Sequence, residues 1–558
     1  MRLFKGLLLG SAAALVSVVG AEAADLPAYK SAPVEYVRIC DAYGSGFFYI
    51  PGTDTCLKVG GLVLAETRAF DPQFSIGPSG GSTFWGNGTA AGHTAVGTAF
   101  PALGGVGFIP SASQYTNPRS RDAYSFGALG RVELDARTNS PWGTVRAFLR
   151  VDSYYGSGGN AATGALNGLG GAIINTNAGS TVQRDTTIVN KAFIQFAGLT
   201  AGYAQSMFDF YADAYNYDSL RGSNATVSLL AYTATFGNGF SATLSFEDQA
   251  SRRAFIGSTF AGSVSAAGVT SPILLDGFSG TSFQANPAGA RIPEIVGNLR
   301  YDQPWGAVQI SAAAHQVASS LFASTALQTT TASTANAAST YAFPVTTGNS
   351  YGFAVQGGVQ VNMDYLSPGD KLWLQAAYER GAFGYIAGNN LGFNYGLGVN
   401  ANRYAGSGFT WSDYSAGWNP QPGSDCVYTG FGPFASGGGS CQQTSGWDFT
   451  GAYKHYWLPT LASAVYGSYL QYTNPQNALN GFGGAVGVSN IKEGRVGTNL
   501  VWTPIKGFDI GAEFMYVRVT QSRPVGLAGD SLLTAAGLPA FQPVTNQYEG
   551  RIRIQRAF

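Results

Sequence analysis

The sequence predicts an all-β fold, a transmembrane antiparallel β-barrel of about sixteen strands with short periplasmic turns and long extracellular loops. Three observations predict it. Only 11% of residues are charged and 13% are aromatic, yet beyond the N-terminus no run reaches the ~18 consecutive apolar residues of a membrane helix. Polar and apolar residues alternate with period two through segments of about ten residues, the length that crosses a bilayer at a tilt. The connections between segments are by turns very short and long. Composition by itself suits a secreted soluble β-protein equally well; segment length and the alternation of connections favour the barrel.

At the N-terminus "MRLFK" supplies a short basic region, "GLLLGSAAALVSVVG" an apolar one, and Ala21 to Ala23 an A-x-A cleavage site. Residues 1–23 are therefore expected to be a cleaved signal peptide. Residues 24–56 are expected to form a periplasmic segment, too short for a globular plug, and residues 57–558 the barrel. Acidic and basic residues balance at 31 each, which argues against nucleic acid or a charged membrane surface as partner. The four cysteines form two close pairs at opposite ends of the chain. In an exported chain they are expected as local disulfides, Cys40–Cys56 and Cys426–Cys441. A metal site is the weaker reading, because neither pair has an accompanying His or C-x-x-C.

Strands are expected to begin near Leu57, Asp122, Thr144, Thr186, Thr200, Ala225, Phe240, Glu294, Ala307, Tyr351, Lys371, Trp447, Leu461, Ile491, Phe508 and Asn546. The second, "RVELDART", sets Arg131, Glu133, Asp135 and Arg137 against Val132, Leu134 and Ala136. The third, "TVRAFLRVD", sets Arg146, Arg150 and Asp152 against Val145, Ala147, Leu149 and Val151. In the eighth, Glu294, Asn298, Arg300 and Asp302 oppose Ile295, Leu299 and Tyr301. In the tenth, Gln356, Gln360, Asn362 and Asp364 oppose Val355, Val359, Val361 and Met363. The tight connections are "NSPWG", "GLT", "GNG", "QPWG", "SPGD", "WLPT" and "TPIKG". Between them lie Gly/Ser/Ala/Asn-rich loops, the longest from about residue 381 to 446.

An open sheet edge in hydrocarbon would leave backbone N–H and C=O groups unpaired, so the last strand is expected to pair with the first. In "QYEGRIRIQRAF", Glu549, Arg551, Arg553 and Gln555 would face water, and Tyr548, Ile552, Ile554 and Phe558 lipid. Trp142, Trp305, Trp457 and Trp502 stand beside short turns and fit an aromatic belt. Arg380 and Arg518 fall on the lipid phase. Either they stand near the outer ends, where that costs little, or a bulge re-aims them.

Several stretches taken together resemble one family. "YVRICDAYGSGFFYIPGTDTCLKVGG", "NLRYDQPWGAVQISAAAHQV", "YKHYWLPTLASAVYGSYLQY", "TNLVWTPIKGFDIGAEFMYVRV" and "RIRIQRAF" are similar to the general diffusion porins of alphaproteobacteria, the rhizobial and brucella type. The resemblance runs from the signal peptide to the last residue, the long outer loops excepted. It implies a barrel in the cell outer membrane, a homotrimer among outer-membrane lipid and lipopolysaccharide, and passive diffusion of small hydrophilic solutes and ions without a cofactor. It implies that Phe558, a C-terminal Phe, is recognised by the barrel-assembly machinery. It also implies that the third long loop folds inward to narrow the pore.

That loop is expected at residues 207–225, carrying Asp209, Asp213, Asp218 and Arg221. Lumen-phase bases stand elsewhere. They are Lys58 and Arg68 on the first strand, Arg131 and Arg137 on the second, and Arg146 and Arg150 on the third. Lys191 follows on the fourth, Arg495 on the fourteenth, and Arg551 and Arg553 on the sixteenth. Glu66, Glu133, Asp135, Asp152, Glu493, Glu513 and Glu549 interrupt this wall. Two readings are open. An acidic loop opposite a basic wall sets up a transverse field that orients solutes and sets ion selectivity. Alternatively, the arginines pair with neighbouring carboxylates and keep the lumen wet.

The alternative function is a substrate-specific channel, or a surface receptor or adhesin on the same barrel, with Trp411, Tyr414 and Trp418 as loop contacts. No enzyme is expected. His93 stands in a Gly/Thr-rich loop, His455 beside a turn and His315 on the ninth strand, which offers no hydrolytic triad, and no G-x-x-x-x-G-K-[ST] phosphate loop occurs.

Overall fold

The computed structural model describes residues 38–70, 124–158, 184–217, 220–249, 252–258, 261–265, 268–274, 281–326, 340–387, 424–428, 440–480, 490–523, 525 and 543–558. The expected signal peptide, His93, Asp218, Trp411, Tyr414, Trp418 and the side chain of Arg68 lie outside the described residues.

Sixteen strands close into one antiparallel barrel. They are β1 (Cys56–Phe70), β2 (Tyr124–Ser140), β3 (Gly143–Gly158), β4 (Arg184–Phe196), β5 (Leu199–Gln205), β6 (Thr226–Gly237), β7 (Phe240–Glu247) and β8 (Glu294–Gln303). Then follow β9 (Gly306–Ala326), β10 (Thr340–Asn362), β11 (Lys371–Arg380), β12 (Ser445–Leu458), β13 (Leu461–Thr473), β14 (Ile491–Ile505), β15 (Phe508–Gln521) and β16 (Val544–Ala557). Each pairs with its chain neighbour, and β16 returns to β1 from Leu62 opposite Ala557 to Phe70 opposite Glu549. The main departure from the expected starts is β10. It begins at Thr340, well before Tyr351, because it continues its ladder with the 21-residue β9. No polar alternation marks residues 340–350, so periodicity missed a stretch that pairing with β9 makes a strand.

Short turns need left-handed backbone to match strand twist. In "GNG" between β6 and β7, Asn238 and Gly239 have φ of 51° and 82°. A Cβ on Gly239 would collide with the Asp302 carbonyl of the neighbouring β8.

The barrel has two solvent faces. Val63, Val132, Ile194, Leu244, Val496 and Ile552 are exposed on the outside, as are Trp142, Trp305, Trp457 and Trp502 beside the short turns. Glu66, Asp152, Glu493, Arg495, Glu549 and Arg551 are buried on the inner phase. Phe558 is exposed, and its backbone pairs with that of Gly61 in both directions, at 3.0 and 3.2 Å. The register is unbroken through Arg380 and through Arg518. No bulge re-aims either one; both stand outside at the long-loop end.

Both cysteine pairs are disulfides. Cys40–Cys56 fastens the segment before β1, where Phe48 pairs with Leu57. Cys426–Cys441 joins Ser424–Tyr428 to Cys441–Gln443 in a small sheet that also takes in Phe255–Ser258. Asp425 anchors this sheet in the outer mouth. Its carboxylate accepts from Ala254 N at 3.0 Å and Phe383 N at 2.9 Å, and lies 3.2 Å from His315 Nε2. His315 Nδ1 is in turn 2.7 Å from Glu294 Oε1.

Val496 lies on the lipid phase, well above the Trp502 belt. Val496→Arg is expected to cost about 2–4 kcal/mol, the midplane value for a lipid-facing charge, whereas Arg518→Leu at the outer end changes stability by under ~1 kcal/mol. Urea titration of the folded barrel in lipid vesicles measures both.

Candidate functional site

The segment between β5 and β6 crosses the barrel lumen. Its neck closes where Ser206 N donates to Ala225 O at 2.9 Å. A turn at its tip places Ala212 and Asp213 in left-handed backbone, with φ of 46° and 56°. The Asp213 carboxylate holds that turn, accepting from Asn216 Nδ2 (2.7 Å), Leu220 N (3.0 Å) and Asn224 Nδ2 (2.9 Å). Burial lifts this carboxyl above its ordinary range.

A crossing without its own secondary structure leaves backbone groups to be satisfied. The inner wall satisfies them strand by strand. Asn298 of β8 donates to Met207 O (2.6 Å), Gln309 of β9 to Asp209 O (3.0 Å) and Gln356 of β10 to Phe208 O (3.0 Å). Gln375 of β11 accepts from Tyr211 N (3.0 Å), and Thr450 of β12 donates to Arg221 O (2.7 Å). Ser468 of β13 accepts from Arg221 N (3.0 Å), and Asn499 of β14 donates to Tyr215 O (2.7 Å). Glu513 of β15 accepts from Tyr217 N (2.6 Å), and Arg551 of β16 donates to Tyr217 O (2.8 Å). Every strand from β8 to β16 thus holds the loop main chain. Two wall glycines admit its aromatics: a Cβ on Gly358 would strike the Phe210 ring, and one on Gly511 the Tyr217 hydroxyl.

The loop charges are fastened as well. Asp209 pairs with Arg252 Nη2 at 2.9 Å and accepts from Ser223 Oγ, Ala225 N and Gln205 Nε2. Arg221 grips Glu493 with two bonds of 2.8 and 2.7 Å, and Arg495 binds the same carboxylate. Only 3% of the Arg221 side chain is accessible and none of Glu493. Such a pair is retained by geometry, since its desolvation cost rivals its attraction.

Accessible charge lies on β2 and β3, and on β8, where Arg300 and Asp302 pair at 2.9 Å with 34% and 53% of their side chains accessible. The side chains of Arg131, Arg137, Arg146 and Arg150 are 14%, 28%, 27% and 23% accessible. Across the ladder they are interleaved with acids. Arg131 pairs with Asp152 (2.7 Å) and Arg150 with Glu133 (2.7 Å), while Arg137 (2.8 Å) and Arg146 (3.0 Å) share Asp135. Lys191 Nζ donates to Gln205 Oε1 at 3.3 Å, and Gln205 Nε2 to Asp209 Oδ2 at 2.5 Å. That chain links the wall to the neck of the loop. The crossing loop is thus fastened to β8–β16, across the barrel from the arginines of β2 and β3.

The family model described as "Porin subfamily" matches residues 25–534. The chain belongs to this porin subfamily. It is 29% identical over 313 residues to a porin, Omp2b, of Brucella suis, covering 54% of this chain and 64% of that relative. It is 28% identical over 309 residues to Omp2b of Brucella abortus strain 2308, with the same coverage. The chain thus matches a little under two thirds of the length of these relatives. Among solved structures, the outer membrane channel DcaP of Acinetobacter baumannii has a TM-score of 0.45 at 12% identity, over 91% of this chain and 99% of that one. An anion-selective porin of Comamonas acidovorans has a TM-score of 0.36 at 8% identity, over 90% and 100%.

The structure sorts this porin's sequence-derived residues into two groups. Asp209, Asp213, Arg221, Arg495 and Arg551 fasten the loop. Arg551 has no accessible side-chain surface and bonds Glu549 and Glu66 besides Tyr217 O. Arg131, Arg137, Arg146, Arg150 and Lys191 stand on the inner parity of β2, β3 and β4. Arg553 stands between the groups, paired with Glu66 at 2.6 Å, its Cζ 4.0 Å from the Tyr217 ring centroid. Sequence reasoning missed Arg252, which no local pattern marks. It also gave no role to Gln309, Gln356 and Gln375, although each sits on the inner parity.

Glu493→Gln leaves Arg221 and Arg495 buried with less counter-charge. It is expected to weaken the loop's attachment by about 3–5 kcal/mol. Trypsin cleavage after Arg221 and open-channel current noise should both rise; unchanged noise and cleavage would mean that this ion pair does not hold the loop.

Proposed function

We propose that this outer-membrane porin passes small hydrophilic solutes and ions by passive diffusion through the gap between the crossing loop and the β1–β4 wall. One observation carries the reading. Four accessible arginines cluster on β2 and β3, whereas the described charges of the loop, Asp209, Asp213 and Arg221, are engaged in attachment; Arg300 and Asp302 of β8 are accessible too, but pair with each other. A sixteen-strand barrel is wide enough for a water-filled path beside such a loop.

The balance at the gap favours anions. Arg131, Arg137, Arg146, Arg150, Lys58 and Lys191 stand there with Glu133, Asp135 and Asp152. Asp209, the loop acid linked to this wall, is offset by Arg252. The transverse field is therefore supplied chiefly by the wall. The working assembly proposed is a homotrimer in a lipopolysaccharide-containing membrane, inserted by the barrel-assembly machinery with Phe558 as its recognised residue.

Purified protein in a planar bilayer tests the reading. Conductance should rise linearly with salt, appear in steps of three, and show a reversal potential on the anion side across a KCl gradient. Replacing Arg131, Arg150 and Lys191 together by Gln should move that potential toward the cation side. A wild-type current blocked at micromolar concentration by a single solute would instead mark a substrate-specific channel.

A further inference from the structure

We infer that the β3–β4 wall carries a subsite for small aromatic carboxylates, built from a phenyl shelf set between two cationic rows. The inference rests on the pore reading and adds a solute class to it.

Phe148 and Phe193 share the inner parity with Arg146, Arg150 and Lys191, and they stand opposite each other across the β3–β4 ladder. Their rings stack with centroids 5.2 Å apart and planes inclined by 28°. Both side chains are half-buried, Phe193 packing in part against Ala204 and Val227, and Asp135 of β2 stands opposite Phe148 in the same row. One step along the ladder toward the short turns lie Arg137, Arg146 and Gln195; one step the other way lie Glu133, Arg150 and Lys191. The Cα atoms of Arg146 and Arg150, four residues apart on one strand, are about 13 Å apart, and both guanidinium groups lean toward the ring between them.

The cations engage the rings directly. Arg146 Cζ is 5.1 Å from the Phe148 centroid and 5.4 Å from that of Phe193, and Arg150 Cζ is 5.7 Å from Phe148. The strip continues toward the short-turn end, where Arg137 Cζ lies 5.0 Å from the Phe47 ring and 5.8 Å from Tyr43. Positive charge is in excess here, because Asp135 serves both Arg137 and Arg146.

A bare halide meets only the guanidinium rows. A carboxylate on an aromatic ring meets a row with its charge and the shelf with its ring, and an aromatic contact adds to simple area burial. The two rows lie on either side of the shelf, so the carboxylate passes from Lys191 and Arg150 to Arg146 and Arg137 while the ring remains over Phe148 and Phe193. The shelf thus selects by the π-face of the solute, a property that neither size exclusion nor net charge reads.

The experiment compares potassium benzoate, potassium cyclohexanecarboxylate and potassium chloride across the full-length protein in a planar bilayer. Benzoate should be more permeant than its saturated analogue by about two- to tenfold, the worth of one aromatic contact. Phe148→Leu and Phe193→Leu, which keep apolar volume without the ring, should each remove that preference and leave chloride conductance intact. Equal permeability of the two acids in the wild type overturns the proposal, as does a preference that survives both substitutions. If no salt is conducted at all, the pore reading itself fails; if chloride passes and benzoate is not preferred, the subsite alone fails.

Discussion

Every peptide group at hydrocarbon depth needs a hydrogen-bond partner within the protein, and that constraint organises this molecule. It forces the strands to pair along their lengths and brings β16 back onto β1, with Arg553 opposite Glu66 and Ile554 opposite Ala65. Closure then separates two solvents by residue parity alone. Alternate positions of one strand meet acyl chains and water, so the chain can bury a charged interior without a large apolar core.

The same constraint explains the crossing loop. A loop led through a lumen gives up bulk water for part of its length, and its main chain must find substitutes. Carboxamides, hydroxyls, the Glu513 carboxylate and the Arg551 guanidinium on the inner parity of β8 to β16 supply them. Asp209, Asp213 and Arg221 are therefore fasteners before they are elements of a field. The proposed functional surface is the opposite wall, where the side chains of Arg131, Arg146 and Arg150 are partly accessible.

Strand number, direction and facing were legible in the sequence because each depends on local signals, namely period-two alternation, length and turn residues. Trp142 and Trp502 could be placed beside short turns for the same reason, and Arg518 on the lipid side. Long-range partnering was not legible. Nothing near Arg252 marks it as the counter-ion of Asp209, and nothing near His315 announces Asp425, because those contacts are made by loops returning across the outer mouth; Glu294, by contrast, is a cross-strand neighbour of His315 in the β8–β9 hairpin. Phe148 and Phe193 are an intermediate case. Neither ring was singled out from the sequence, although both share the parity of Arg146 and Lys191; parity gives no spacing between rings on different strands, and that needed the β3–β4 register. The early start of β10 was hidden because its first residues pair in a hairpin that needs no two-faced pattern.

The proposal at stake is that the loop divides the lumen, covering the β8–β16 side and leaving the β2–β4 side open. Its most direct test is modification of single engineered cysteines by a charged thiol reagent during current recording; among the described residues the native cysteines are all in disulfides. Arg150→Cys should react promptly with a stepwise change in current, and Ser468→Cys, behind the loop, should not react. Prompt modification at Ser468→Cys with silence at Arg150→Cys would place the open path on the opposite side and contradict the account.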